Sequence, residues 1–391
     1  MKEQKNNMKS NINCKFCKSS NLDILYEPVQ SKRNARVLLC LDCALLQSVE
    51  EEKNLDKVPS ISCDADWGNI RHGKKSRLQP NINFITKIVD FSKIKNCLDI
   101  GSNRGDFVKW LNSNYPATKI TAVEPDANLI DYENKNFNII PTKFENVELD
   151  TKFDFIYCCH TLEHIDSLQI FLKNCHKIMN KESYLFIEVP NTAVILYDKN
   201  IVEEFFIDKH TLHFIPETLL NVFSNSGFEV VKKNIDPYNI SVLFRKTKNY
   251  PSIFSAKEIV KKEKDAIEIY QKILKTNRFI LKKICEEKLN PFLERQKVAF
   301  WGASRIFDAL IKYGKINKNY VHILVDQFIS QILKEVHGIS IYEPLWLKIY
   351  EPQVILVLAR SSSNKIENMA HEMGFRWVIT FDEIMEQARM L

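Results

Sequence analysis

Cys14-Lys-Phe-Cys17 recurs, after twenty-two intervening residues, as Cys40-Leu-Asp-Cys43. Two such pairs at this separation are the pattern of a tetrahedral four-thiolate site for Zn²⁺, each pair a knuckle offering two sulfurs. Four thiolates leave no open coordination position, so the metal is read as structural rather than catalytic. Lys15, Lys18, Lys32, Arg33 and Arg36 lie nearby in sequence to offset the excess negative charge. A module this small needs a metal because it lacks a sizeable core; the competing reading is a ribbon that binds nucleic acid or a partner. A second stretch, Asn96-Cys-Leu-Asp-Ile-Gly-Ser-Asn-Arg-Gly-Asp-Phe-Val-Lys-Trp-Leu111, offers a different chemistry. Gly101 and Gly105 let the backbone come close to a ligand and take angles that a Cβ resists. Lys119-Ile-Thr-Ala-Val-Glu-Pro-Asp126 then delivers Glu124 about twenty positions downstream, where a ribose diol needs a carboxylate acceptor. The dinucleotide pattern Gly-x-Gly-x-x-Gly is absent, since Asn103 and Asp106 stand at two of its places. The turn therefore suits a ligand without a phosphate.

Positioning these groups takes a strand, a turn and a helix. Cys97 to Ile100 reads as a short buried strand, and Phe107, Val108 and Leu111 continue with helical spacing. Such a unit opens a ligand site at the carboxyl end of a sheet. Asp99-x-Gly101-x-x-x-Gly105 followed by Val-Glu-Pro-Asp126 resembles motifs I and II of the class I methyltransferases that use S-adenosylmethionine (SAM). The resemblance implies that Asp99, Gly101, Asn103, Gly105 and Glu124 hold the cofactor, the glycine turn passing its amino-acid part and the acid its ribose. It also implies that Thr142-Lys-Phe-Glu145 contacts the adenine, with Phe144 packing on it. Phe153-Asp-Phe-Ile156 followed by His160-Thr-Leu-Glu-His164-Ile165 is similar to the fourth strand and following loop of a common subgroup, which would set His160 and His164 at the mouth of the cleft.

The remaining chain alternates between strand and helix. A helix is expected over 81–94, another over 127–135, strands at 137–140, 153–158 and 184–189, and a closing hairpin from 227–235 and 240–244. The fold class expected is α/β: a class I methyltransferase Rossmann-like seven-stranded sheet, an N-terminal four-cysteine zinc module, and a C-terminal Rossmann-like α/β domain. The domains read as 12–50 for zinc, 51–80 a lid or linker carrying Trp67, Arg71 and His72, and 81–250 for methyl transfer. A helical connector takes 251–296, opened by the capping box Ser255-Ala-Lys-Glu258 and ended by Pro291. Residues 297–391 form the last domain, where Lys297–Ser304 is a strand and turn and the next strand ends in Asp326. A single glycine in that turn, Gly302, and bulky Ile306 make the domain a docking surface for a nucleotide-linked substrate or a scaffold, rather than a second cofactor site.

At 391 residues, 45% hydrophobic and 27% charged, the chain reads as soluble and globular. An excess of 55 Lys+Arg over 49 Asp+Glu is spread along the length, so no nucleic-acid partner is expected. No apolar run reaches the length of a membrane span, and the first residues lack the apolar core of a signal peptide. Ten cysteines, four of them in the metal pattern and most others in apolar segments, fit a reducing cytoplasm.

The combination of zinc module, SAM domain, helical linker and Rossmann-like domain resembles one family, the sugar-nucleotide C-methyltransferases, over about residues 12 to 380. That family uses a Glu-His pair followed by an aromatic to remove a proton beside a ketone. Here Lys209-His210-Thr-Leu-His213-Phe214 keeps the histidine but has lysine for glutamate and His213 for the aromatic. Loss of that carboxylate weakens the case for C-methylation, whereas O-methylation of a sugar hydroxyl needs only a histidine base. The expectation is thus an enzyme that methylates a sugar or nucleotide sugar at carbon or oxygen, as a monomer or homodimer, with His210 or His213 as base and His164 assisting. The alternatives are methylation of a non-sugar small molecule and a non-catalytic assembly protein that keeps the fold.

Overall fold

In a computed structural model, residues 12–28, 34–50, 75–126, 137–206, 210–248 and 254–390 are described. The expected helix over 127–135, residues 51–74 of the lid or linker with Trp67, Arg71 and His72, and Lys32, Arg33 and Lys209 fall outside them, while 75–80 of that stretch are helical. The chain divides into two compact units, the first taken from Met1–Glu51, Gly73–Tyr197 and Lys209–Ile267 and the second from Glu52–His72, Asp198–Asp208 and Glu268–Leu391.

In the first unit, β1 (Leu22–Tyr26), β2 (Arg36–Cys40) and β3 (Leu46–Val49) pair antiparallel. α1 (Lys75–Ile85) leads into β4 (Asn96–Ile100), α2 (Asp106–Asn114), β5 (Lys119–Val123), β6 (Phe137–Ile140) and β7 (Phe153–Cys159). α3 (Leu168–Ile178) and β8 (Met179–Pro190) follow, then a short α4 (Val194–Tyr197), β9 (Leu212–His213), α5 (Pro216–Ser224), β10 (Phe228–Ile235) and β11 (Asn239–Lys246). The main sheet runs β10-β11-β8-β7-β4-β5-β6, parallel from β8 to β6, with β11 and β10 as an antiparallel hairpin at one edge. This is the seven-stranded sheet that the sequence leads one to expect.

Its inner strands read as unbroken apolar runs because helices cover both faces. Leu98, Ile156 and Leu185 pack with α3 and α5 on one side, while Cys97, Phe155 and Tyr157 pack with α1 and α2 on the other. Phe107, on α2, stacks on Tyr157 at 4.0 Å between centroids. α1 ends at Ile85, earlier than the spacing of apolar residues indicates, and a turn at Phe91–Lys93 capped by Asp90 replaces its last part.

Residues 12–50 fall within this unit. Cys14, Cys40 and Leu45 join the same apolar cluster as Leu98 and Phe171. The small sheet also takes β9 as its fourth strand, with Leu46 opposite His213.

The second unit carries β12 (Val298–Trp301), β13 (Ile323–Val325), β14 (Glu335–Val336), β15 (Ile339–Tyr342), β16 (Val354–Val357) and β17 (Val378–Thr380) in the order β14-β15-β13-β12-β16-β17. The two very short strands β14 and β15 lack a run long enough to signal them. Gly302, at φ 126°, follows β12, and Ala303 donates its amide to Asp326 at 3.0 Å. Asp326 also accepts from the amides of Phe328 and Ile329, so its carboxylate is engaged in shaping its own loop. Within this unit Arg360, buried, donates to both carboxylate oxygens of Glu203 at 2.9 Å and also bonds Asp198 and the Asn200 carbonyl.

The long helix α6 (Ala256–Ile284) begins where the capping box places it, but it does not stop at Pro291. A π-turn at Cys285–Leu289 hands over to α7 (Asn290–Arg295), and Pro291 falls in the first turn of α7. A proline there has no amide to give, so one helical hydrogen bond is missing where the π-turn meets α7.

Candidate functional site

Each cysteine knuckle folds in the same way. The amide of Lys18 donates to the carbonyl of Cys14 at 3.1 Å, and that of Ala44 to the carbonyl of Cys40 at 2.9 Å. Lys18 and Ala44 close these turns with left-handed backbones, φ 63° and 61°. The Phe16 amide points at Cys14 Sγ, 3.4 Å away. The pairs then meet: Cys14 and Cys43 sulfurs lie 3.5 Å apart, as do those of Cys17 and Cys40, and all four fall within 4.8 Å of one another. No disulfide joins them. Four thiols converging on one point without bonding are a donor set for a soft tetrahedral cation.

The glycine turn is bare backbone where the main sheet ends. Gly101 and Asn103 are left-handed, φ 69° and 51°, and Gly105, also at 69°, opens α2. The Gly101 amide reaches back to Val123 O at 2.7 Å, holding the turn against the end of β5. Glu124, 5% exposed, accepts from the Asn103 amide at 2.8 Å and the Asp126 amide at 3.1 Å. Asp99 is buried one residue before the end of β4. Adjacent strand ends thus gather Asp99, Gly101, Asn103, Gly105 and Glu124 at one place. Phe144 is buried in the core, edge-on to Phe171 at 5.2 Å.

Directly against this turn runs the loop that leaves β7. A Cβ built on Gly101 would fall 2.1 Å from Thr161 Oγ1. Next to Thr161, His160 takes a left-handed backbone, φ 45°, which turns its ring inward. Its Nε2 faces Asn239 Oδ1 at 3.1 Å and Glu188 Oε1 at 3.5 Å, and its Nδ1 faces Glu163 Oε1 at 3.3 Å. Burial alone lowers the pKa of His160, but the two carboxylates outweigh it and the net shift is upward. Glu163 is 1% exposed. Burial pushes its carboxyl up, yet His160, then His164 and His210, hold it well below the usual carboxylate range.

His210 reaches this carboxylate from the other side, with Nε2 3.9 Å from Glu163 Oε1, and its ring meets that of His164 edge-on at 4.7 Å. The Thr211 amide donates to the Glu163 carbonyl at 2.8 Å, stitching the two segments together. His164 is exposed and His210 partly so. His213 is not with them: it is 3% exposed on β9, with Nε2 2.7 Å from Ser48 Oγ.

Sequence reasoning passed over Glu163, Glu188, Asn81 and Thr161. Glu188 accepts from Ser241 at 2.7 Å, Asn81 at 3.1 Å and Cys159 at 3.3 Å, a closed network under His160. A signal was present in Leu185-Phe-Ile-Glu-Val189, since an acid inside a buried apolar strand must be paired. Glu163 stood between two histidines of the very motif quoted above.

A seven-stranded sheet of this order, with a glycine turn and acid at the ends of its central strands, defines a class I methyltransferase domain. Residues 70–233 match the family model described as "Methyltransferase domain". That match makes the chain an enzyme that carries a methyltransferase domain. No curated protein matches the chain. Among solved structures, the mitomycin 7-O-methyltransferase is similar at 18% identity and a TM-score of 0.34, over 44% of this chain and 55% of that one. The S-adenosylmethionine-dependent methyltransferase from Mesorhizobium loti shares 12% identity at a TM-score of 0.35, over 43% and 96%. The O-methyltransferase from the trans-AT PKS multienzyme of Brevibacillus brevis, in complex with S-adenosyl-L-homocysteine, shares 10% at 0.36, over 51% and 81%. Among the described residues no helix is long and apolar enough to cross a membrane.

Proposed function

We propose that this enzyme methylates a hydroxyl of a sugar or nucleotide sugar, with His210 as general base, His164 beside it, and a structural zinc on Cys14, Cys17, Cys40 and Cys43. The observation that supports this most is the contact of Gly101 with Thr161, which sets the cofactor turn against the loop of the histidine cluster. The residues present suit SAM: a turn with two left-handed glycines lies beside the buried acids Asp99 and Glu124, which suit an amino group and a ribose, and the dinucleotide glycine pattern is absent. When bound, the cofactor supplies a methyl group on a sulfonium. His210 then has the task of taking the proton that the acceptor hydroxyl gives up, and the protein's main contribution is to hold the two in line. His213, committed to Ser48, leaves His210 as the base in this reading. The sugar class of the acceptor rests on the resemblance to the sugar-nucleotide enzymes.

Titration of the zinc-replete protein with S-adenosylhomocysteine tests the donor half. Micromolar binding is expected, lost in Asp99→Ala without unfolding; unchanged affinity in that variant would sink the site assignment. His210→Ala should keep that affinity and lose roughly 10²–10⁴-fold in turnover on nucleotide sugars with labelled SAM. Turnover equal to wild type would remove His210 from the mechanism.

A further inference from the structure

The glutamate that precedes the catalytic histidine in the resembling family is Lys209 here. The geometry points to Glu163, supplied by the loop after β7, as the residue that positions His210 and stabilises its protonated form. This rests on the reading of His210 as base and adds the group through which it acts.

Three observations carry it. Glu163 is buried to 1% exposure, and neither of its oxygens has a well-formed hydrogen bond, the nearest contacts being histidine nitrogens. A carboxylate held without water is costly unless positive charge faces it. The groups that face it are imidazole rings: His160 at 3.3 Å, His210 at 3.9 Å, and His164 against the His210 ring. Finally, the backbone of Glu163 fixes the same partner, since its carbonyl accepts the amide of Thr211, the residue after His210. One residue therefore sets both the place of the His210 segment and the electrostatics of its ring.

The proton balance is simple. As the acceptor oxygen loses its proton, that proton goes to His210 and the ring becomes a cation. Glu163 stays ionised throughout and faces this cation, which lowers the cost of forming it. At 3.9 Å the resting contact is longer than a hydrogen bond, and catalytic bonds commonly tighten only as substrate binds.

Glu163→Gln keeps the size and removes the charge. Turnover should fall roughly 100-fold while KM for the acceptor and affinity for S-adenosylhomocysteine change less than about 3-fold. Glu163→Asp, which keeps the charge on a shorter arm, should recover part of the loss. A merely structural role would add to other losses, so the double variant Glu163→Gln/His210→Ala is decisive: it should be no slower than His210→Ala alone. Full turnover in Glu163→Gln, with His210→Ala dead, would overturn this inference and leave the base intact. Full turnover in both would instead sink the base. The ligand atoms of Glu163, His164 and His210 also lie within 4.8 Å of one another. Turnover lost to a chelator and restored by added divalent cation, with the four-cysteine metal still in place by mass spectrometry, would likewise overturn it, making the cluster a cation site.

Discussion

Gly101→Ala should lose at least 100-fold in affinity for S-adenosylhomocysteine, because the turn has no space for one methyl group. Its Cβ would stand 2.1 Å from Thr161 Oγ1, 2.5 Å from Cγ2 and 2.9 Å from Cβ, and real Cβ atoms do not come so close. Thr161 cannot swing aside cheaply, since a β-branched side chain is stiff at χ1 and its hydroxyl is bonded to the Cys159 carbonyl at 3.2 Å. The left-handed backbone at φ 69° adds strain of about 1 kcal/mol for any residue but glycine. Either the turn or the loop carrying His160, Glu163 and His164 must move, so the donor and acceptor halves fail together. Calorimetric titration reads the first loss and turnover the second. Thr161→Gly in the Gly101→Ala background removes all three contacts and should restore most of the binding. Wild-type affinity in Gly101→Ala would show that the cofactor does not use this turn.

The donor half was legible because its chemistry is local. Asp99, Gly101, Asn103 and Gly105 fall within seven residues, and Glu124 is carried by the very next strand, so a parallel βαβ step brings them together without further information. The metal pattern is legible for a like reason, each pair of sulfurs being fixed by a single turn. The acceptor half was not legible in the same way. His210 and His213 are three residues apart and alike in type, yet Thr211 is bonded back to Glu163 while His213 is drawn into a sheet with Ser48, 165 positions earlier. Nothing in the spacing distinguishes the two; pairing of β9 with β3 does. β1 and β3 are less plain, because Leu22–Tyr26 and Leu46–Val49 are short and gain their strand character by pairing with β2.

That pairing makes metal removal the second large effect, and one that should appear far from the metal. Structural zinc contributes roughly 10 kcal/mol of apparent binding energy to small modules whose sites do not exist unfolded. Cys14 and Cys40 flank the small sheet, and β3 passes directly from Cys43 to the partner of β9. The Ser48 amide holds the Thr211 carbonyl at 3.0 Å, and the Thr211 amide holds Glu163. Releasing the knuckles therefore loosens β3, then β9, then the segment that carries His210, whereas the glycine turn is bonded to Val123 and Glu124 at the end of β5. Protein stripped by a strong chelator, or carrying Cys40→Ser, should bind S-adenosylhomocysteine within about 3-fold of wild type but turn over at least 10-fold more slowly. Limited proteolysis should cut first within residues 12–50, and zinc should reverse both effects in the stripped protein. Metal analysis checks the starting point, with one zinc per chain expected from the four-cysteine site. Equal turnover with and without the metal would mean that the small sheet stands by its apolar contacts, chiefly Leu45 and Cys40 in the main core, and that the knuckles do not serve the acceptor site.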